Sequence, residues 1–173
     1  MKAVEYARLG AFSMLEIVCR FVVVPHLRAF FLKCCGATIG KNVRIYEVHL
    51  FNLRCGFMNL HVGDNVYVGP GCKIDLEGVV SIGNGCSLAP GVTIITHSDP
   101  GSTHNSPLCR FFPKRVAEVT ICDNCWIGAN STILCGTTIG EGSVVGACSL
   151  IASEVSSGMV YCGVPARKLR ILK

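Results

Sequence analysis

Residues 121–155 read ICDNCWIGANSTILCGTTIGEGSVVGACSLIASEV, and an aliphatic side chain returns at every sixth position of this stretch. The aliphatic residues are Ile121, Ile127, Ile133, Ile139, Val145 and Ile151. Four positions after each of them comes a small or β-branched residue, namely Cys125, Ser131, Thr137, Ser143, Ser149 and Val155. A period of six differs from the period of about 3.6 that indicates an α-helix and from the strict alternation of a half-buried strand.

The same spacing recurs upstream in three shorter runs. These are Ile39 and Ile45; Val62, Val68 and Ile74; and Ile82, Leu88 and Ile94. Three short strands joined by tight corners form a triangular coil of about eighteen residues, and coils stacked about 4.8 Å apart hydrogen-bond to one another. We therefore predict an all-β fold, a single-stranded parallel β-helix over residues 36–173, with the aliphatic side chains stacked inside.

The twelve cysteines are interpreted first as packing residues. Cys55, Cys72, Cys86 and Cys125 are assigned to the small-residue position of the repeat, where a thiol acts as a small apolar group. Cys122 and Cys125 form a CxxC motif, which could instead be half of a zinc site or a redox pair. No second CxxC motif or histidine pair at ligand spacing accompanies it, so we favour the packing role and expect no metal.

The composition predicts a folded domain with apolar surface left to cover. Apolar residues make up 50% of the chain and charged residues 16%, which argues against disorder and favours oligomerisation or membrane contact. The net charge of +5 comes without a basic stripe interleaved with aromatic residues, so no nucleic-acid partner is expected. The apolar stretch from Ile17 to Cys35 is interrupted by charges and a proline and has no convincing cleavage site, which predicts a cytoplasmic protein with reduced thiols.

A long segment, residues 98–119, interrupts the repeat and is predicted to be a loop extruded from the coil. His97 stands immediately before it. Loops that project from a rigid scaffold are common places for functional sites, and an imidazole can act as a general base near neutral pH. His97 is therefore the candidate catalytic residue, and a loop histidine bonded only to backbone is the alternative.

The run WIGANSTILCGTTIGEGSVVGACS (residues 126–149), followed by GVPAR (residues 163–167), resembles the hexapeptide-repeat acetyltransferases, including those of maltose, galactosides and polysaccharides. The resemblance covers about residues 36–173. It implies a left-handed coil, a homotrimer, and acetyl transfer from acetyl-coenzyme A to a sugar hydroxyl with His97 as base. The residues expected to contact coenzyme A are Trp126 beside the thiol, Gly128, Ala129, Gly146 and Ala147 along the pantetheine arm, and Arg167 and Arg170 at the phosphates.

Three further residues are expected to bind the acceptor: Asp75, Asp99 and His104. Asp99 or Glu118 could instead orient His97. Ser153 replaces a lysine that some relatives carry, and Gly69 replaces an asparagine that binds the acceptor in galactoside enzymes, so the acceptor stays open.

Residues 1–35 do not follow the six-residue rule. We predict a helix from Lys2 to about Val22 that ends or kinks at Pro25. Its residues Val4, Ala7, Phe12, Leu15, Val18 and Val22 are spaced to form one apolar face. This segment either caps the open end of the coil or makes a peripheral membrane contact.

Other functions for such a coil remain open. They are N-acetylation of an amino sugar, acetylation of serine, a non-catalytic scaffold, and a metal-dependent hydratase. The sequence lacks the large helical N-terminal domain typical of serine acetyltransferases, and the spacing of His97 and His104 does not resemble the three-histidine zinc site of a hydratase.

Overall fold

The computed structural model describes residues 2–172, and for residues 2, 3 and 5 it describes the backbone alone. Two α-helices come first, α1 (Lys2–Phe21) and α2 (Pro25–Cys34). The first helix ends at Phe21, close to the predicted Val22, and Pro25 begins the second helix, where its missing N–H costs no hydrogen bond.

Short strands make up most of the remaining chain. In chain order they are β1 (Thr38–Ile39), β2 (Arg44–Ile45), β3 (Val48–Phe51), β4 (Leu60–Val62), β5 (Tyr67–Val68), β6 (Cys72–Asp75), β7 (Val80–Ile82), β8 (Ser87–Leu88), β9 (Thr93–Ile94), β10 (His97–Ser98), β11 (Arg115–Val116), β12 (Val119–Ile121), β13 (Trp126–Ile127), β14 (Thr132–Ile133), β15 (Thr138–Ile139), β16 (Val144–Val145), β17 (Leu150–Ile151), β18 (Met159–Gly163) and β19 (Ala166–Ile171).

Apart from the two-stranded ribbon of β10 and β11, the strands form three sheets, which are the three faces of a triangular prism. Face A has the order β1-β4-β7-β12-β15, face B the order β19-β18-β16-β13-β8-β5-β2, and face C the order β17-β14-β9-β6-β3. From β1 to β9 and again from β12 to β17, successive strands visit faces A, B and C in turn, and neighbouring coils pair in parallel, as Ile74 does with Ile94. The predicted left-handed parallel β-helix is confirmed, with about five turns.

The core follows from the repeat. The six aliphatic residues from Ile121 to Ile151 are each at most 1% exposed, and the small residues four positions later are also buried. Cys72, Cys86 and Cys125 are buried, which confirms their packing role, and burial raises the pKa of the Cys72 thiol to about 11. Cys55 was assigned wrongly: it is exposed, because it lies in the irregular segment between β3 and β4 rather than in a coil.

The two helices cover the open end of the coil, where β1, β2 and β3 are edge strands. The buried Glu16 carboxylate of α1 accepts a hydrogen bond from the Leu50 amide of β3 at 3.2 Å. The buried Arg28 of α2 donates to the Ile45 carbonyl of β2 at 3.0 Å. These side chains satisfy backbone groups that an edge strand leaves unpaired, so the helices act as a cap.

The apolar residues of α1 do not form the single face that their spacing suggested. Phe12, Leu15 and Cys19 pack against the core cluster, whereas Val4 and Val18 are exposed on the other side of the helix. Within residues 2–172, no helix is both long and apolar enough to span a bilayer.

The segment that interrupts the repeat leaves and rejoins the coil through a small antiparallel ribbon. His97 of β10 pairs with Val116 of β11, and Ser98 pairs with Arg115. Between these strands lie two 3-10 turns, Ser102–His104 and Pro107–Arg110. The ribbon therefore fixes both ends of the loop beside face C.

Candidate active site

His97 lies at the corner between faces C and A, immediately after the coil that contains β9. Its side chain is 26% exposed, so one edge of the ring can meet a substrate while the other is held by the protein. The backbone is fixed by its pairing with Val116. Position and exposure both suit a general base.

The buried carboxylate of Asp75 holds the His97 ring. Asp75 Oδ2 lies 2.5 Å from His97 Nδ1. The same oxygen accepts hydrogen bonds from the backbone amides of Thr96 (2.9 Å) and His97 (3.1 Å). Because an ionised carboxylate only accepts hydrogen bonds, the ring donates through Nδ1–H, and in the neutral form of the ring this leaves the lone pair on Nε2.

The other oxygen of Asp75 is also fully used. Asp75 Oδ1 accepts from Asn52 Nδ2 at 2.9 Å and from the Glu77 amide at 3.1 Å. Burial raises the pKa of Asp75, but the hydrogen bonds from His97, Asn52, Glu77 and Thr96 outweigh it and lower the pKa below the ordinary value of 3.8. The carboxylate is therefore ionised at neutral pH.

Asp75 was expected to bind the acceptor. In the structure it instead lies beneath His97. It is 0% exposed, and its oxygens bind five donors of this chain. A group with that burial and those partners orients the histidine. Asn52 was not identified from the sequence. It comes directly after β3, and Asp75 is the last residue of β6, the neighbouring strand of face C, so the stacking of strand ends was the available signal.

Asp99 and His104 belong to the loop. Asp99 accepts hydrogen bonds from the amides of Gly101 (2.8 Å) and Ser102 (2.6 Å) and from the Ser102 hydroxyl (2.6 Å). Those bonds, led by the Ser102 hydroxyl, lower the pKa of Asp99 to about 2. The carboxylate stabilises the first loop turn, while His104 is exposed on that turn. Within residues 2–172, neither Asp99 nor Glu118 forms a hydrogen bond or ion pair with His97, whose side chain binds Asp75.

Glu77, whose role was not expected from the sequence, connects the loop to the coil. Its carboxylate lies 2.8 Å from Lys114 Nζ and 3.6 Å from Arg54 Nη1. Lys114 immediately precedes β11, so this ion pair holds the returning end of the loop near Asp75 and His97.

The residues expected to contact coenzyme A lie on face B and at its corner with face C. Trp126 begins β13 and is 56% exposed, and Arg167 and Arg170 are exposed on β19 of the same sheet. Two strands, β16 and β18, separate β19 from β13, which corresponds to about 14 Å at normal strand spacing. Ala129 is partly exposed and Ala147 exposed at the corner. Together they form an extended strip.

Packing between coils explains the two glycines of this set. A Cβ on Gly128 would lie 2.5 Å from the Ala147 nitrogen, and one on Gly146 would lie 2.8 Å from Cys162 Cβ. Gly128 is also buried, and its amide donates to the Val145 carbonyl at 2.8 Å. Their small size is required by the stacked coils, so it is not in itself a sign of a bound pantetheine arm.

His97 and the face B strip do not meet within one chain. A triangular coil has three corners, and the corner between faces C and A, where His97 lies, is opposite face B. A groove of about 640 Å³ follows face A past His61, Ser81 and Thr120 to the A/B corner, and His97 does not line it. The chain therefore carries the two halves of the expected site on different sides of the prism.

The CxxC motif is accommodated by packing. Cys125 is buried and donates through Sγ to the Gly140 carbonyl at 3.2 Å. Across residues 2–172 the structure contains no cluster of three or more histidine, cysteine or acidic side chains arranged to hold a metal ion.

Comparison with known proteins agrees with the repeat. Residues 118–153 match the bacterial transferase hexapeptide family model of six repeats. A galactoside O-acetyltransferase of Escherichia coli is 32% identical over 134 residues, covering 78% of this chain and 63% of the relative. A galactoside O-acetyltransferase of Lactococcus lactis is 30% identical over 144 residues, covering 83% of this chain and 67% of the relative. The chain thus spans less than two thirds of the Escherichia coli relative.

The solved structure of a galactoside acetyltransferase in complex with coenzyme A superposes with a TM-score of 0.81 at 25% identity. The match covers 98% of this chain and 82% of that one. The two helices and the coil are therefore both included in the structural likeness.

Proposed function

Because the chain belongs to the hexapeptide-repeat acetyltransferase family, we propose that it transfers an acetyl group from acetyl-coenzyme A to a hydroxyl of a sugar or polysaccharide precursor. The observation that carries the proposal is the His97–Asp75 pair, in which a buried carboxylate binds Nδ1 of a partly exposed ring at 2.5 Å. The solved relative binds coenzyme A, which supports the same class of donor here.

The proposed chemistry needs one base and no covalent enzyme intermediate. His97 Nε2 removes the proton of the acceptor hydroxyl as that oxygen attacks the thioester carbonyl. The C–S bond then breaks, the acetyl group stays on the acceptor oxygen, and the imidazolium returns its proton to the leaving thiolate. Asp75 fixes the productive tautomer and stabilises the positive charge that develops on the ring.

The site is completed by a second copy of the chain, and we propose a homotrimer. Trp126, Arg167 and Arg170 lie on face B, whereas His97 is at the opposite corner. A donor bound along face B reaches the His97 of a neighbouring chain more readily than that of its own. Trp126 would flank the thiol end, Ala129 and Ala147 the arm, and the two arginines the phosphates. Asp99 and His104 would contribute to acceptor binding from the loop.

We also propose a cytoplasmic location, with peripheral membrane contact through the N-terminal helices. The structure leaves all twelve cysteines unpaired, which supports a reducing compartment.

The direct test is acetyl transfer to a panel of sugars. Exposed thiols at Cys34, Cys55 and Cys148 would react with thiol reagents, so the acetylated sugar is measured by mass spectrometry. We expect product that depends on both acetyl-coenzyme A and a sugar, and a loss of about 10²- to 10⁴-fold in kcat for His97→Ala in protein that is still folded by circular dichroism.

The matched control is His61→Ala, which removes a partly exposed histidine from face A. If His97→Ala were as active as wild type, His97 would not be the general base. Absence of coenzyme A binding would favour the scaffold, and acetylation confined to amino sugars or serine would favour the N-acetyltransferase or serine alternatives.

A further inference from the structure

We propose that the outer surface of the two N-terminal helices binds an anionic lipid bilayer, with the coil axis standing along the membrane normal. This surface, the cap face, is defined by Met14, Val18, Phe21, Val23, Leu27 and Phe30. The inference specifies the membrane contact included in the proposed function and does not depend on the transfer reaction.

The outer side of α1 is apolar where a helix at a water-exposed surface is normally polar. Val4, Ala7, Ala11, Met14, Val18 and Phe21 follow the spacing of one helix face, and all six are exposed. The opposite side carries the buried Glu16 and the core contacts Phe12 and Leu15. This helix is therefore anchored through one side while a second, larger apolar side has no partner in the described chain.

The apolar surface continues from α1 through the connecting residues into α2. Phe21 and Val23 are 80% and 85% exposed, and Leu27 and Phe30 are 57% and 64% exposed. Arg28, Ala29 and Leu32 are the buried residues of α2, so Leu27 and Phe30 point away from the coil. Both helices thus present apolar side chains at the same end of the prism.

Basic side chains border the cap face. Residues 1–35 contain five lysines and arginines and two glutamates. Of these, Arg8 and Lys33 are exposed, whereas Arg20 is paired at 3.1 Å with the buried Glu16 on the side of α1 that faces the coil. Long basic side chains beside an apolar surface can extend to lipid phosphates while the apolar residues enter the acyl region.

A bilayer fits this surface better than a second copy of the chain does. A helix that packs on another helix buries a narrow stripe, but here the apolar residues extend over two helices and their connection. The cap also lies at the end of the prism, across the edge strands, so the three side faces stay free for the proposed trimer. In such a trimer all three caps would point to the same membrane.

The test is flotation of the full-length protein with vesicles of phosphatidylcholine alone or with about one third phosphatidylglycerol. We expect wild type to float with the anionic vesicles, and the Phe21→Asp, Val23→Asp double variant to bind them about tenfold more weakly or less. The matched control is Leu169→Asp on β19, an apolar side chain that is 64% exposed outside the cap face and should bind within about twofold of wild type.

Wild-type protein that fails to float with anionic vesicles would overturn the proposal, as would a double variant that binds like wild type. If wild type did not bind vesicles and the double variant had a lower molar mass by light scattering, the cap face would be an interface with a second copy of the chain. Transfer to a soluble sugar, assayed without vesicles, should be the same in the double variant. If wild type bound the vesicles but showed no acetyl transfer, the proposed function would be refuted and the membrane proposal would stand.

Discussion

Asp75 Oδ2 lies 2.5 Å from His97 Nδ1, although 22 residues separate the two in sequence. They meet because β6 and β9 are neighbouring strands of face C, aligned so that Ile74 pairs with Ile94. Asp75 comes directly after Ile74, and His97 comes three residues after Ile94. The coil therefore supplies both the candidate base and the group that orients it.

Asp75→Asn is expected to lower kcat for acetyl transfer by about 10²- to 10⁴-fold, because an amide facing Nδ1 can donate and favour the wrong tautomer. Steady-state kinetics over a range of pH would measure it. The control is Asn52→Ala, which removes one donor to Asp75 Oδ1 and leaves the bond to His97, so its kcat should fall by about tenfold or less. Equal losses in the two variants would contradict the tautomer argument.

The dependence of stability on pH should also change at Asp75. Its pKa is lowered in the folded protein, so its contribution to the free energy of unfolding is present above the unfolded pKa of about 4 and is lost as pH falls through the folded pKa. The free energy of unfolding, measured by urea titration, should therefore fall more steeply below about pH 4 in wild type than in Asp75→Asn. If the free energy of unfolding depended on pH in the same way in both proteins, the pKa of Asp75 would not be lowered by folding.

Arg28→Met should destabilise the cap. The Arg28 guanidinium donates to the carbonyls of Cys19 (3.1 Å), Arg20 (3.2 Å) and Ile45 (3.0 Å). Methionine leaves them without that donor, for a loss of about 3 kcal/mol in the free energy of unfolding by urea titration. Lys33→Met, at an exposed site of the same helix, is the control and should change stability by about 0.5 kcal/mol or less. A similar change in both variants would disprove the role of Arg28.

The same substitution should have opposite effects at two glycines. Gly128→Ala places a Cβ 2.5 Å from the Ala147 nitrogen and is expected to cost about 1 to 3 kcal/mol. Gly10→Ala, in α1 with nothing within 4 Å of the new Cβ, should add about 0.5 to 1 kcal/mol. Differential scanning calorimetry without coenzyme A would test both. An unchanged Tm for Gly128→Ala would restore the donor site as the explanation for that glycine.

The sequence by itself determined the coil, because the six-residue period predicts which side chains point inward. It placed Ile121 to Ile151 in the core and His97 at the start of the loop, and the structure has both. Period and loop length are local properties, readable without knowing which coils touch.

Only the tertiary structure decided what surrounds those residues. Asp75 became the partner of His97, Gly128 proved to be a packing residue, and α1 acquired a buried and an open apolar side. Each outcome depends on a contact between neighbouring coils or between the cap and the coil. Hydrophobic spacing says that a side chain is apolar or small, but the distances between stacked strands determine which atom lies opposite it.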